Sequence, residues 1–422
     1  MRKPVNHRGV SLPAVCVAAL LALPYAQAQS PVNLTIWGGD PNAISRFEQL
    51  NPGIKVSQLS VSMGAPYYDK LLTALKAGNG PDIANVEYQM LPTVLSTGKL
   101  LDIGPLGLAA FKNRYEPWMW NQVSFGGAVY GMPIDAGPMA LMYRSDLFRK
   151  VGLSAPTSWA DYADAAARLK AVNPNGYIAS FAANDPGWFT GLAWQAGARW
   201  FKQTGDGWEV HINDAATKKV GQFWQGLIDK KLVKIGPAWN DDWYGSFQSG
   251  GYATWPTAAW GPGFLASIAP KTAGAWRVAL LPVWDTGKPS SANWGGTALT
   301  VTKDSKNPRE AARLVAYLGN QENTILAVKG GMYPALKSGL QSDELSKPFA
   351  FLGKQASNLV FRQAQRRVDP SFQWGPTMTQ VYRDFSDQFG LVATGQLTLP
   401  QAIDAVQAST VESMKKQGFN VK

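Results

Sequence analysis

The sequence predicts an α/β protein built as two lobes, and three observations carry that reading. Its 422 residues exceed the roughly 250–300 that one hydrophobic core organises. Strand-like alternation and helix-like periodicity succeed one another with short connections, a pattern that favours a mainly parallel sheet covered on both faces. The composition, 45% hydrophobic and 16% charged with 42 Gly, 28 Pro and 17 Trp, is that of a packed chain and excludes disorder over most of the length.

Residues 1–28 stand apart from the fold. Arg2, Lys3 and Arg8 give a positive start, an apolar run covers 10–23, and Ala26-Gln27-Ala28 offers the small-x-small pattern of a cleavage site. This predicts a signal peptide cleaved near Ala28 and a mature chain starting at Gln29. The run carries Pro13, is bounded by Pro24, and falls short of the ~20 apolar residues a membrane span needs. Cys16 is the only cysteine and leaves with the leader, so the mature chain makes no disulfide. The residues before Cys16 fit a lipid-attachment signal poorly, which predicts a free periplasmic protein. Loss of three basic residues and no acidic ones lowers the formal charge from +11 to +8. The remaining Lys and Arg are spread thinly, with one local run at 362–367, and lack the basic-aromatic face that nucleic acid requires.

Several chemistries are absent. With His7 in the leader, His211 is the one histidine left, which excludes a His-based zinc site and an H-E-x-x-H protease. No G-x-S-x-G elbow supplies a serine for a triad, and no G-x-x-x-x-G-K-[ST] loop supplies a Walker site. His211 lies within an alternating run, 208–212, and is read as structural. Neither metal nor cofactor is expected.

Along the chain, 32–37 alternates as a strand, and 41–50 reads as a helix stopped by Asn51-Pro52-Gly53. A strand at 54–60 is followed by a helix with Tyr67, Leu71, Leu72 and Leu75 on one face, ending near Gly78-Asn79-Gly80, and by a strand at 81–86. The texture changes after 130–135. A strand at 138–144 precedes a helix opened by Ser158-x-x-Asp161, with Trp159, Tyr162, Ala163, Ala166 and Leu169 on one face. A further strand at 296–302 leads to a helix capped by Asn307, and the C-terminal region reads as helices over 377–392 and from Thr398-x-x-Gln401 onward.

Taken in order, Trp37-Gly38-Gly39, NPGIKV (51–56), GPDI (80–83), GKLLDI (98–103), YGMPID (130–135), LMYRSDLFRKVGL (141–153), APTSWADYADAAARLK (155–170), FQSGGYATW (247–255), TVTKDSKNPREAARLVAYL (300–318) and GGMYPAL (330–336) form a collinear pattern over nearly the whole mature chain. Each piece is weak alone; their order is specific. The pattern resembles the extracellular sugar-binding proteins of bacterial ABC importers, family 1, maltose-binding-protein-like. That resemblance implies a two-lobed periplasmic-binding-protein fold of type II character, with mixed sheets flanked by helices and ligand in the interlobe cleft. It places the first lobe at 29–137 plus 297–337 and the second at 138–296 plus 338–422. It also implies a monomer that closes on a sugar and docks on ABC permease subunits, whose separate ATPases supply the energy.

A sugar ring has an apolar face and a rim of hydroxyls, so its site needs flat aromatics beside polar groups that donate and accept. Most of the tryptophans are expected in the core, including Trp159, Trp224 and Trp243. Candidates for ligand contact lie beyond strand ends or near the crossings. These are Trp37, Gly38, Gly39 and Asp40 after the first strand, Glu87, Tyr88 and Gln89 after the third, and Asp135 at the first crossing. Asp185 and Trp188 sit in an Asx-Pro-Gly turn. Trp260 resembles the family's stacking tryptophan and is the strongest single candidate, joined by Trp294 and Gly295 at the second crossing and by Trp374. Arg362 and Gln365 are weaker additions. A secreted glycoside hydrolase using Glu87, Asp135 and Asp185 is the enzyme alternative, and a non-sugar solute such as a polyamine is the binding alternative. The pattern favours a di- or oligosaccharide and no catalysis.

Overall fold

The strand Val32–Trp37 occupies the interior of the first sheet, and its pattern explains why: Leu34 and Ile36 turn inward and are fully buried while Asn33 and Thr35 face out. It pairs parallel with Ile54–Leu59, from Val32 opposite Ile54 to Trp37 opposite Leu59, and parallel with Ile83–Glu87. The helices Pro41–Leu50 and Ala65–Lys76 are the crossovers between these strands. Thr297–Val301 and Met132–Pro133 complete the sheet, and Thr297–Val301 runs antiparallel to both its neighbours. The expectation of a mainly parallel sheet therefore holds for the first three strands and fails at this one. Thr297–Val301 enters directly from the other half of the molecule, so no crossover helix constrains its direction. The computed structural model describes residues 1, 31–60, 62–288 and 290–422, so the leader, its cleavage site and Gln29 lie outside the described residues.

The second half centres on Met139–Arg144, flanked antiparallel by Thr254–Ala258 and Trp276–Leu280. A parallel pair, Ala179–Ala182 with Val233–Gly236, lies beside it. Helix Trp159–Val172 starts with the expected capping box, Ser158 accepting from the Asp161 N–H at 3.0 Å and Asp161 accepting from the Ser158 N–H at 2.9 Å. Thr398 and Gln401 form a second such box at the start of Leu399–Lys416, which packs along Met378–Ala393. Asn307 does stand at the N-cap of Pro308–Leu318, but its side chain makes no cap bond; proline at the first helical position already removes one orphan donor.

The core of this half is aromatic. Trp159, Trp188 and Trp224 are all buried to within 2% exposure and meet edge to face, Trp188 and Trp224 with ring centroids 4.9 Å apart. Trp243 is buried as expected, and Trp194 stacks on Phe372 at 4.7 Å. His211 lies half-exposed after strand Gly207–Val210, its Nε2 3.6 Å from Glu209.

Three chain segments run side by side between the two halves. Ala136 donates its N–H to the Tyr333 carbonyl at 3.2 Å, Trp294 donates to Gly137 at 2.8 Å, and Ile134 donates to Thr297 at 2.9 Å. The Asn293 side chain ties the strap together, accepting from the Gly137 N–H at 2.8 Å and donating to the Gly295 carbonyl at 2.6 Å. A Cβ at Gly137 would stand 2.0 Å from the Trp294 carbonyl oxygen, so only glycine permits this approach. Among the described residues no helix is long and apolar enough to cross a membrane, and no group of three or more His, Cys, Asp or Glu could hold a metal ion.

Candidate functional site

A cavity of about 830 Å³ opens where the strap joins the two halves. One wall comes from the first sheet and its helices, with Tyr68, Glu87, Gln89 and Asp135; the other carries Asp185, Trp239, Trp260 and Trp294. Tyr382 and Arg383, on one face of helix Met378–Ala393, close one side. Gly295, Gly296 and Thr297 of the strap form the base. A smaller depression of about 270 Å³ on the flank of the second half, beside Leu147 and Tyr177, is mostly apolar with two lysines and brings together no acids.

Three partly buried carboxylates converge on the larger cavity, each held by a different element, with the exposed Asp387 as a fourth at its edge. Glu87 ends strand Ile83–Glu87; its carboxylate accepts from the Tyr68 hydroxyl at 3.1 Å while that hydroxyl accepts from the Glu87 N–H at 2.9 Å. Burial pushes the Glu87 carboxyl up to about 6 against the opposing pull of Tyr68 and Gln89, and the nearby Asp185 and Asp135 charges add to the rise. Asp135 lies at the first strap segment, and one of its oxygens, Oδ1, accepts both the N–H and the hydroxyl of Thr297 at 2.7 Å. Desolvation raises its pKa as well, opposed by those two bonds. Asp185 caps helix Pro186–Gln195, accepting from the Trp188 N–H at 3.3 Å, and its other oxygen accepts from the Trp239 indole at 3.0 Å. It too is lifted by burial to about 6.

The facing wall is aromatic. Trp260 and Trp294 sit with centroids 4.7 Å apart, and Trp239 lies 6.0 Å from Trp260 and 6.2 Å from Trp294. The Trp260 indole donates to the Trp294 carbonyl at 3.3 Å, fixing one ring against the strap. Behind them Trp243 and Trp255, 3% and 5% exposed, brace the cluster. Trp239 has a left-handed backbone, φ 66°, uncommon for a bulky residue and a conformation of the kind that concentrates at ligand sites.

The structure thus brings together Glu87, Gln89, Asp135, Asp185, Trp260, Trp294 and Gly295. It places the other candidates outside the cavity lining, each for a visible reason. Asp40 is spent as the N-cap of Pro41–Leu50, accepting from Ala43 at 2.9 Å. Gly38 is packed so closely on Asn85 that a Cβ would meet its side chain at 2.7 Å, Gly39 is exposed at the turn, and Trp37 lies against Tyr67 with Lys70 over its ring. Tyr88 points into the core beneath Gly296 and donates to the Asp135 carbonyl at 2.8 Å, so it positions the strap. Trp188 turns into the aromatic core and donates to the Pro256 carbonyl at 2.9 Å. Trp374 bonds Gln122 and lines a separate cavity, while Arg362 and Gln365 line a third.

Sequence reasoning missed Tyr68, Trp239, Tyr382 and Arg383. Trp239 carried a usable signal, since it directly precedes Asn240, which caps helix Asp241–Ser249, and so stands in a loop facing the site. Arg383 and Asp387 stand four apart on the face opposite Val381, Phe385 and Phe389, part of the polar face of an amphipathic helix.

Two α/β lobes joined by a strap, with a polar and aromatic cavity at the junction, define a solute-binding clamp. Residues 38–325 match the family model described as bacterial extracellular solute-binding protein, and the chain belongs to that family. An ABC transporter-associated binding protein from B. animalis subsp. lactis Bl-04, solved with beta-1,6-galactobiose, is 32% identical over 93% of this chain and 100% of that chain, with a TM-score of 0.81. The galacto-N-biose/lacto-N-biose I-binding protein from Bifidobacterium longum, solved with lacto-N-biose, is 26% identical over 93% of this chain and 99% of that one, with a TM-score of 0.84. An arabinooligosaccharide-binding protein of Bacillus subtilis (strain 168) is 27% identical over 60% of this chain; the match spans 60% of that relative's own length. These relatives are binding proteins, and the family is an exported one.

Proposed function

We propose that the chain captures a neutral carbohydrate, a di- or oligosaccharide, between its lobes and delivers it to an ABC importer. The observation that carries this is the pairing, in one cavity of about 830 Å³, of an aromatic wall of Trp239, Trp260 and Trp294 with the carboxylates of Glu87, Asp135 and Asp185. Indole faces suit the C–H face of a ring, and carboxylates accept from its hydroxyls. Relatives solved with disaccharides support the reading.

The lobes are assigned as 29–137 plus 297–337 and 138–296 plus 338–422, with the strap as hinge. Because the walls belong to different lobes, a sugar touching both favours the closed form by the contacts only that form makes. The closed protein, a monomer released by cleavage near Ala28, then docks on permease subunits. Catalysis is not proposed, because the relatives are binding proteins. The same three carboxylates favour one second reading, a cationic solute such as a polyamine.

Titration of intrinsic tryptophan fluorescence with galactobiose, lacto-N-biose, arabinooligosaccharides and spermidine separates these. Saturable quenching or enhancement with a sugar, the sugar recovered unchanged, is the expected result. A response to spermidine alone, or cleavage of the sugar, overturns the proposal.

A further inference from the structure

We propose that the sugar cleft continues into a second chamber, and that the Asp69–Arg383 ion pair is the partition that sets how long a saccharide the protein accepts. This rests on the carbohydrate reading above. A cavity of about 650 Å³ runs along the outer side of helix Ala65–Lys76 and the start of helix Met378–Ala393. It and the main cavity share two lining residues, Thr379 and Arg383, so the chambers abut there.

The second chamber has the chemistry of a polyol site. Thr73, Thr93, Ser96, Gln380 and Gln417 supply hydroxyls and amides that both donate and accept, and Phe419 supplies a half-buried ring. Its charges are mixed, Asp69 against Lys76 and Arg383, so it selects neither anion nor cation.

Between the chambers stands a wall in two parts. The lower part is fixed: Met378 donates its N–H to Thr93 Oγ1 at 3.1 Å, and the Thr379 hydroxyl meets Met90 Sδ at 3.7 Å. The upper part is Arg383 Nη2 on Asp69 Oδ1 at 2.7 Å, with the two side chains 48% and 58% exposed. An ion pair so exposed contributes little and is screened by salt. A third or fourth sugar ring can therefore displace the pair and gain the hydroxyl and amide groups beyond it, while a disaccharide leaves the pair intact. Asp69 lines only the second chamber, so its removal lowers the wall and alters the main cavity only by freeing the Arg383 guanidinium.

The test measures dissociation constants for paired di- and tetrasaccharides of galactose, arabinose and glucose, in wild type, Asp69→Ala, Asp69→Asn and Thr73→Trp, with melting temperatures as a fold check. Both Asp69 variants should raise the tetrasaccharide-to-disaccharide affinity ratio about fivefold, as should 0.5 M salt in wild type. Thr73→Trp, which fills the second chamber from an exposed helix position, should lower the ratio. An unchanged ratio in folded Asp69 variants that bind disaccharide overturns the partition and leaves the carbohydrate reading standing. Failure of every sugar pair to bind wild type overturns both.

Discussion

Replacing Glu87 by Gln should make the empty protein more stable and the loaded protein weaker. Burial lifts the Glu87 carboxyl from 4.5 to about 6, so between those values the folded chain keeps a proton the unfolded chain has released. The stability this group gives is present below 4.5 and lost as pH rises through about 6. A shift of that size corresponds to about 2 kcal/mol at most, and about 1 kcal/mol is a fair lower figure because the carboxylate opens on the cavity. Gln carries no charge to desolvate, and its amide oxygen can still accept from the Tyr68 hydroxyl. Unliganded Glu87→Gln should therefore exceed wild type by about 1–2 kcal/mol in urea unfolding near pH 7.5, with the gap closing near pH 4. Binding should move the other way, since a hydroxyl loses a charged acceptor worth about 1.5–3 kcal/mol, a roughly 10- to 100-fold rise in Kd by calorimetry. In wild type the affinity should fall as pH drops through about 6, where Glu87 and Asp185 both take up protons. A less stable variant near pH 7.5, or a stability gap that ignores pH, refutes the reasoning.

Trp260→Ala should raise the sugar Kd about 10- to 30-fold with a smaller loss of melting temperature than a core tryptophan, because the ring borders the cavity and is only partly buried. Trp188→Ala should do the reverse, costing about 3–5 kcal/mol of stability, since that ring is 1% exposed in the core; equal effects of the two on binding would contradict the placement. Gly137→Ala should abolish soluble expression or lower the melting temperature sharply, as the added carbon stands 2.0 Å from a backbone oxygen that the strap fixes. An unaffected Gly137→Ala protein would mean the strap is looser than drawn. Small-angle scattering should show a smaller radius of gyration on saturation with the best sugar, and identical curves would count against lobe closure.

What the sequence made legible was whatever periodicity encodes. The strand at 32–37, the crossover helices and both capping boxes follow from alternation, helical spacing and cap chemistry within a few residues, and they appear where expected. The antiparallel entry of Thr297–Val301 was not legible, because direction depends on where the chain comes from in space. Site residues divided on the same principle. Glu87 and Asp135 were legible as cavity residues because one stands at a strand end and the other at the first crossing. Tyr88 and Trp188 shared those neighbourhoods but point inward, a choice set by one rotation of the backbone and invisible in one dimension. Tyr68 and Arg383 were missed because both are helical: Tyr68, 1% exposed, reads as core and Arg383 as a solvated charge until the fold sets both against the cavity. Trp239 was missed although its place just before the Asn240 cap was a usable signal, because with so many tryptophans serving the core, composition does not single it out.

The most direct test is a crystal structure of the complex with galactobiose or the tightest sugar found by titration. The account predicts a ring within about 4 Å of the Trp260 or Trp294 face and hydroxyls about 2.6–3.0 Å from Glu87 and Asp135. Sugar bound elsewhere on the surface, with the cavity between the lobes empty, would contradict it.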